Sequence, residues 1–508
     1  VPSGSYRDLA VVKDGVVWIE VADRGGELGA TRAGVTGEAP SDVLWHYNLS
    51  ARHLDKLCER VDTFSVSGDG ERLVVRYRDD TIVVPSSHKV DDDDPAYIRV
   101  DLTRLRRTVN PRAEWRQMFD ENGRLMASHY WREDMNGVDW DSVLNRYRPL
   151  VDLCHVVDDL HDILWETVAE LNTSHSYVSA SGAAGDSDMR AGLLGADVSS
   201  GNDGAKVVRV IPGESSDPRA WSPLRAAGVA VTEGDVIVAV DGRKVGADGN
   251  LGELLEGSAG RVVELTVRRG ENERQVAVVP MADEAPLRYH DWVASRRRYV
   301  EEHSGGRLGY LHVPDMVSDG WAELHRQIGE ATRHEGVIAD VRFNHGGHTS
   351  QLVVERLARR VVGWDYSRWY ATADTYPQNA VRGPIVMVTN QWAGSDGDIV
   401  AAATQAMGYA KVIGERSWGG VVGIDGRFDL VDGTSVTQPR YAGWYGSYGW
   451  GVENHGVDPD IVVTVSPEDW EADCDVQLDA AIAECLRQLD DKPAATAPEL
   501  PGPAFDRC

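Results

Sequence analysis

The stretch that decides the fold is Pro384–Met407, PIVMVTNQWAGSDGDIVAAATQAM. Ile385–Val388 is the short, unbroken apolar run of a strand buried on both faces. Gly394-Ser395-Asp396-Gly397 follows as a tight turn, and an Ala-rich helix comes after it. A serine at such a turn is lifted above the sheet edge. The next amide, at Asp396, opens a helix, where unpaired N–H groups and the macrodipole favour negative charge. An acyl-transfer enzyme holds its nucleophile and one oxyanion donor in this way. Ala393 stands where the strict G-x-S-x-G elbow has its first glycine, and an ordinary βα turn with serine near the cap has similar residues.

A nucleophilic serine needs a base. The best candidate is His175 in Leu171–Tyr177, LNTSHSY, where an amphipathic helix over Asp158–Leu171 hands over to an extended run. A histidine at a helix exit also serves as a cap or a packed side chain. Ser174 can hydrogen-bond the imidazole and fix its tautomer, and a carboxylate would complete the relay. Glu453, in Gly451–Asp460 (GVENHGVDPD), is a carboxylate among turn residues and says little alone.

The remaining chain sets the context. Its 508 residues suffice for three or more domains, and 42% hydrophobic content allows sizeable cores. A formal charge of −29 argues against nucleic acid and anionic membrane surfaces, and favours cationic peptides. No apolar run of about 18 residues is present to span a bilayer, and no signal peptide is visible. Cys58, Cys154, Cys474, Cys485 and Cys508 are few and lack metal spacing, so they read as free thiols in a reducing, cytoplasmic setting. The chain opens at Val1, not Met, which suggests a longer natural chain.

Five segments follow from composition and periodicity. Residues 1–108 read as all-β, with strand, Gly-Asp-Gly turn and strand over Phe64–Val75. They resemble roughly two propeller blades of about 40–45 residues each. Asp91–Asp94 reads as a solvated acidic loop before Pro95. Residues 109–181 are helical: Asn110 suits a cap, Pro111 the first helical position, and Trp115, Phe119, Met126 and Tyr130 share a core face. Residues 186–284 resemble a PDZ domain. Gly192-Leu193-Leu194-Gly195 matches its carboxylate-receiving loop, and Ser222–Val229 with Glu233–Gly242 carries the signature of protease-associated PDZ modules. Such a module either adds a peptide strand to its edge or serves as a spacer with its groove occluded. Residues 285–490 alternate strand and helix, an α/β layout with a mostly parallel sheet. The loops after Gly336–Phe343 and Pro384–Thr389 both follow strand carboxyl ends, so both can face one site. Residues 491–508 are Pro/Ala-rich and read as a loose tail.

Ser174-His175, Gly394-Ser395-Asp396 and Glu453-Asn454-x-Gly456-Val457-x-Pro459-Asp460, in this order and around a PDZ module, resemble the catalytic motifs of the tricorn protease family. The likeness covers about residues 1–490. It implies a ClpP/crotonase-like α/β catalytic domain behind a partial β-propeller, a helical domain and the PDZ domain. It implies Ser395 as nucleophile, His175 as base, and Ser174 with Glu453 as its orienters. The Asp396 amide is the implied first oxyanion donor. The second comes from Asn344-His345-Gly346-Gly347-His348, with Gly347 the choice and Gly346 still open. Asp365 falls near the family's acidic determinant for basic P1 residues, which a neighbouring subunit supplies there. The likeness further implies oligopeptide substrates, a homohexamer, aminopeptidase partners and no cofactor.

Other chemistries fit less well. His345 and His348 form a His-x2-His without cysteine or HExxH company, which disfavours zinc. Trp418-Gly419-Gly420 lacks the Lys-Ser/Thr of a phosphate loop. C-terminal processing peptidases share the PDZ and α/β parts but use a Ser-Lys dyad. The nearest downstream lysine here is Lys411, and the region around 420 reads Gly419-Gly420-Val421. A non-catalytic scaffold binding peptides through the PDZ groove is the competing reading from another functional class.

Overall fold

The computed structural model describes residues 4–22, 41–78, 80–106, 108–180, 189–246, 250–369, 372–426 and 428–500. The expected tail past 500, with Cys508, and residues 186–188 of the PDZ segment lie outside them. The chain divides into two compact units, Val1–Glu114 and Trp115–Cys508.

The first unit holds two antiparallel four-stranded meanders. Ser5–Val12, Gly15–Val21, Val43–Asn48 and His53–Cys58 form one, and Thr63–Val66, Arg72–Tyr77, Asp80–Pro85 and Ile98–Arg99 the other. Arg72–Tyr77 shows why they stack: Leu73 and Val75 point inward while Arg72, Val74 and Arg76 face out, the period-2 pattern of a half-buried strand. Those two residues join Val17, Ile19, Leu44 and Leu57 of the first sheet in one apolar core. Gly70, at φ +72°, turns the connecting hairpin, which closes with the Ser67 amide on the Arg72 carbonyl at 2.9 Å. These blade-like meanders are the partial propeller of the fold.

The second unit begins with helices. Pro111–His129, Trp140–Val151 and Val157–Ala169 pack Phe119, Met126, Leu160 and Leu164 into a fully buried cluster. Asp139 caps the middle helix by accepting from the Ser142 amide at 3.1 Å. Leu430 and Val436, from far along the chain, complete the same cluster. The helical layer is thereby fastened to the segment that later faces His175.

The PDZ module is an antiparallel sheet in the order Ala196–Gly201, Gly204–Val210, Val236–Val240, Val263–Arg269, Asn272–Val278, with Arg243–Lys244 paired onto Val236–Val240. Asp241 and Gly242, at φ +48° and +73°, form the hairpin turn for which Asp-Gly is suited. The Gly192–Gly195 loop spends three of its four amides internally. Gly192 donates to the Leu255 carbonyl (2.8 Å), Leu193 to that of Met281 (2.8 Å), and Gly195 to Glu284 Oε2 (3.1 Å).

The last domain is a five-stranded, wholly parallel sheet: Leu308–His312, Gly336–Asp340, Ile385–Thr389, Ala410–Gly414, Ile461–Val462. The first three strands are buried along their whole length, which explains their unalternating apolar sequences. Val353 and Leu357, Ile328 and Val400 bring the helices Ser350–Leu357, Ser318–Ala331 and Asp396–Met407 onto one core. Val293, Val300, Leu478 and Ile482 bring Ala285–His303 and Val476–Asp491 onto another. The strand expected over Gly336–Phe343 stops at Asp340. Phe343 sits at φ +59°, outside strand geometry, and its amide donates to Asn390 Oδ1 at 3.0 Å, which bends the chain toward the next strand end. No helix among the described residues is long and apolar enough to cross a membrane.

Candidate active site

Ser395 stands between the strand Ile385–Thr389 and the helix Asp396–Met407, at φ +58°, ψ −121°. Few L-residues adopt that backbone, and it persists only where its surroundings fix it. Here they do. The Gly394 amide donates to the Asn344 carbonyl (3.0 Å), that of Gly397 to the Gly394 carbonyl (2.8 Å), and that of Trp418 to the Ala393 carbonyl (2.9 Å). Trp418 also packs against Gly394, where a Cβ would come 2.7 Å from its ring. The glycine at 394 is thus a packing requirement as well as a turn.

The loop after Gly336–Asp340 closes over the same serine. A Cβ on Gly346 would come 2.5 Å from Ser395 Cβ and 3.1 Å from its Oγ, so only glycine fits. The Gly346 amide is committed to Asn344 Oδ1 at 2.9 Å. Gly347, at φ +147°, differs. The bridge to Met316 runs from the Met316 amide to the Gly346 carbonyl and from the His348 amide to the Met316 carbonyl, and passes the Gly347 amide by. The Asp396 amide is among the first of its helix, where no intrahelical acceptor exists. The Asp396 carboxylate turns inward and accepts from the Ser350 amide at 3.0 Å, and burial raises its pKa.

His175 is 7% exposed, with its ring edge-on to Tyr177 (5.7 Å between centroids) and Trp418 (5.3 Å). Its Nδ1 lies 2.9 Å from Ser174 Oγ. Thr437 grips the backbone on either side. Its hydroxyl donates to the His175 carbonyl (2.7 Å) and accepts from the Tyr177 amide (2.7 Å). Burial holds the imidazole below its ordinary pKa, with the Glu453 charge pulling the other way. Glu453 does not bond the ring. Its Oε1 accepts from the Ser174 amide (2.8 Å), and its Oε2 from the amides of Val421 (2.8 Å) and Val422 (3.0 Å). Asn454 ties the two loops, donating from Nδ2 to the Asn172 carbonyl at 2.7 Å.

Ser174, His175 and Glu453 are thus brought into one bonded chain, and Trp418 is the neighbour that the His175 ring shares with the Ser395 turn. No direct hydrogen bond joins His175 to Ser395 among the described residues, a common state for sites without substrate. Asp365 is different. It occupies the exposed end of Gly363–Asp365, opposite Asp374 in a two-stranded pair, and bonds none of these groups among the described residues. Sequence inspection missed Trp418, Thr437 and the buried Asp398. A carboxylate inside an otherwise Ala-rich helix was the one available signal for Asp398.

Residues 307–463 match the model of peptidase family S41, and the class this fold defines is therefore a serine-type peptidase. Residues 192–283 match the tricorn protease PDZ domain and 111–169 the tricorn protease C1 domain. Tricorn protease homolog 1 of Streptomyces coelicolor is 54% identical over 99% of this chain and 47% of its own length. The tricorn protease of Thermoplasma acidophilum is 34% identical over 96% of this chain and 45% of its own. A crystal structure of the tricorn protease superposes with a TM-score of 0.84 at 33% identity, covering 96% of this chain and 47% of that one. The chain belongs to the tricorn protease family, and it spans about half the length of the curated relatives it matches.

Proposed function

We propose that this chain cleaves oligopeptides through an acyl-enzyme, with Ser395 as nucleophile, His175 as general base, and Ser174 and Glu453 holding the base. His175 takes the Ser395 proton as Oγ attacks the scissile carbonyl. The amides of Asp396 and Gly347 receive the oxyanion, the second because the Gly346 amide is already spent on Asn344. His175 then passes the proton to the leaving amine. Water, deprotonated by His175, releases the acid product and restores the serine. The observation that carries this proposal is the left-handed Ser395 at a helix start, held there from three sides.

Burial favours the neutral form of His175 needed in a base, and the bond to Ser174 at Nδ1 leaves Nε2 for the serine. For specificity, Asp365, supplied by a neighbouring subunit as in the family, would attract Arg or Lys at P1. Assembly as a homohexamer that passes products to aminopeptidases extends the family likeness to this chain. The scaffold alternative is disfavoured by the PDZ loop, three of whose amides are engaged within the chain.

A fluorophosphonate probe tests the proposal. The parent should label, and Ser395→Ala and His175→Ala should not. Labelling that survives in Ser395→Ala would end the assignment. Unchanged cleavage of Arg-P1 peptides by Asp365→Asn would remove the specificity role.

A further inference from the structure

Beneath the Ser395 turn lies a carboxylate that the mechanism above does not use. Asp398 is fully buried on the first turn of Asp396–Met407. It accepts from the Ser417 hydroxyl, from the Gly419 amide (2.8 Å) and from the Gly420 amide (3.2 Å). The Ser395 amide is a further group that stabilises its charge. No cation pairs with it among the described residues. Tyr445 feels its charge: burial, with the charges of Asp396 and Asp398, pushes that phenol up to about 12. A buried carboxylate held only by neutral donors is costly to keep charged. Such a group needs a reason to be there.

The reason lies in what those donors belong to. The loop Ser417–Val422 touches the Ser395 turn, the base and the Glu453 loop. Its Trp418 covers Gly394 and meets the His175 ring at 5.3 Å. The Gly419 carbonyl accepts from the Asn454 amide at 2.6 Å, next to Glu453. The amides of Val421 and Val422 bind Glu453 itself. Ser417 Oγ also accepts from the Val457 amide at 2.8 Å, securing the far end of the Glu453 loop. Glycine is obligatory here, since a Cβ on Gly419 would come 2.5 Å from the Gly456 amide nitrogen.

We propose that Asp398 is a positioning residue: it clamps the Ser417–Gly420 loop against the Ser395 turn, so that Trp418 and Glu453 hold His175 in register with the nucleophile. This rests on the peptidase proposal above. Asp398 acts only through the loop and touches no substrate. Its grip is weaker in the neutral form, since a protonated oxygen turns an O–H and a poorer acceptor toward the amide it faces. Burial pushes the Asp398 pKa up to about 6, within reach of a mildly acidic medium.

The test is the rate of fluorophosphonate labelling against pH, from about pH 4.5 to 8. In the parent, a proton on His175 silences the site and one on Asp398 slows it roughly 10–100-fold, so the logarithm of the rate should fall with a slope approaching ~2 over the pH span in which both groups titrate. Asp398→Asn should label roughly 10–100-fold more slowly at neutral pH, with the acid slope reduced to about 1. Ser417→Ala removes one donor to the charged carboxylate and should shift the acid limb to higher pH. A parent that labels alongside an Asp398→Asn of equal rate and slope overturns this role and leaves the peptidase proposal standing. A parent that does not label overturns both. Should Asp398→Asn fail to fold, Ser417→Ala decides, and an unmoved acid limb overturns the role.

Discussion

Two glycine-bearing loops in this molecule present backbone amides in ways that look alike in sequence and differ in the fold. Gly192–Gly195 of the PDZ module has the residues of a carboxylate receptor, yet Gly192, Leu193 and Gly195 each donate to an acceptor inside the chain. His345–His348 has the residues of an oxyanion loop. There three amides are spent, His345 on the Pro314 carbonyl, Gly346 on Asn344 and His348 on the Met316 carbonyl, while the bridge to Met316 skips Gly347. Glycine content therefore marks close backbone approach in both places. Whether a donor remains for a ligand depends on where distant acceptors fall, here Leu255, Met281 and Glu284 in one case and Met316 in the other.

The largest expected effect tests the open loop. Alanine at 347 would place its Cβ 2.1 Å from the Met316 carbonyl oxygen, at a φ of +147° that L-residues avoid. The amide must move, and the proposed second oxyanion donor goes with it. Gly347→Ala should lose on the order of 10²–10³ in kcat with KM little changed, as for removal of one such donor. Steady-state kinetics on a fluorogenic peptide would check this, with circular dichroism to show that the fold is kept. Full activity would mean that Gly347 is no more open than Gly192.

Glu453 is a third arrangement, a carboxylate that collects three amides in order to hold a base. Glu453→Gln weakens those bonds and should cost roughly tenfold in kcat. It also carries a sign. His175 must be neutral to take the serine proton, and its pKa lies below the ordinary 6.5 through burial, with Glu453 raising it. Activity should thus be level near neutrality and fall at more acid pH as the imidazole gains its proton. Without the Glu453 charge that fall should move to lower pH. A move to higher pH would show that Glu453 does not act on His175 electrostatically.

Much of this was legible before any coordinates. Ile385–Val388 announced a buried strand, since its unalternating apolar run suits only a strand covered on both faces. Gly394-Ser395-Asp396 announced a strand-to-helix turn, and Leu171–Tyr177 a helix exit with a serine beside a histidine. These are local signals, with cause and effect a few residues apart. The hub was not legible. Asp398 meets Ser417, and Glu453 meets Ser174, only after the sheet and the helical layer have folded, and no periodicity encodes such pairings. Gly419 and Gly420 invited comparison with a phosphate loop, whereas their amides face a carboxylate within the protein. Burial inverted the meaning of the motif.

A smaller effect tests the closed loop. Alanine at 192 would put its Cβ 2.2 Å from Ser258 Oγ and 2.5 Å from Pro280 Cβ. Forced overpacking of this kind costs about 1–3 kcal/mol. Gly192→Ala should lower the denaturation midpoint of the second unit and leave kcat on short peptides unchanged. A loss of turnover comparable with that of Gly347→Ala would remove the distinction between the two loops.

The smallest effect is the most direct. Glu284 Oε2 takes the Gly195 amide while its Oε1 accepts from Arg288 Nε at 2.8 Å, so a side-chain carboxylate already stands where a peptide terminus would have to bind. Glu284→Ala frees that amide and Arg288 Nε, while Arg288 Nη1 stays on Asp197 Oδ1 at 2.9 Å. It does not free Gly192 or Leu193, whose acceptors are backbone carbonyls that the substitution leaves in place. One charge-assisted hydrogen bond is worth about 1.5–3 kcal/mol, far from what micromolar affinity requires. Calorimetric titration with a peptide ending in a free carboxylate should therefore show no binding in the parent and only weak, roughly millimolar binding in Glu284→Ala. Micromolar binding by the variant would mean that Glu284 alone shuts the loop, and that the backbone bonds of Gly192 and Leu193 give way to a peptide. The PDZ loop would then be a gated receptor, differing from the loop over Ser395 by a single removable side chain.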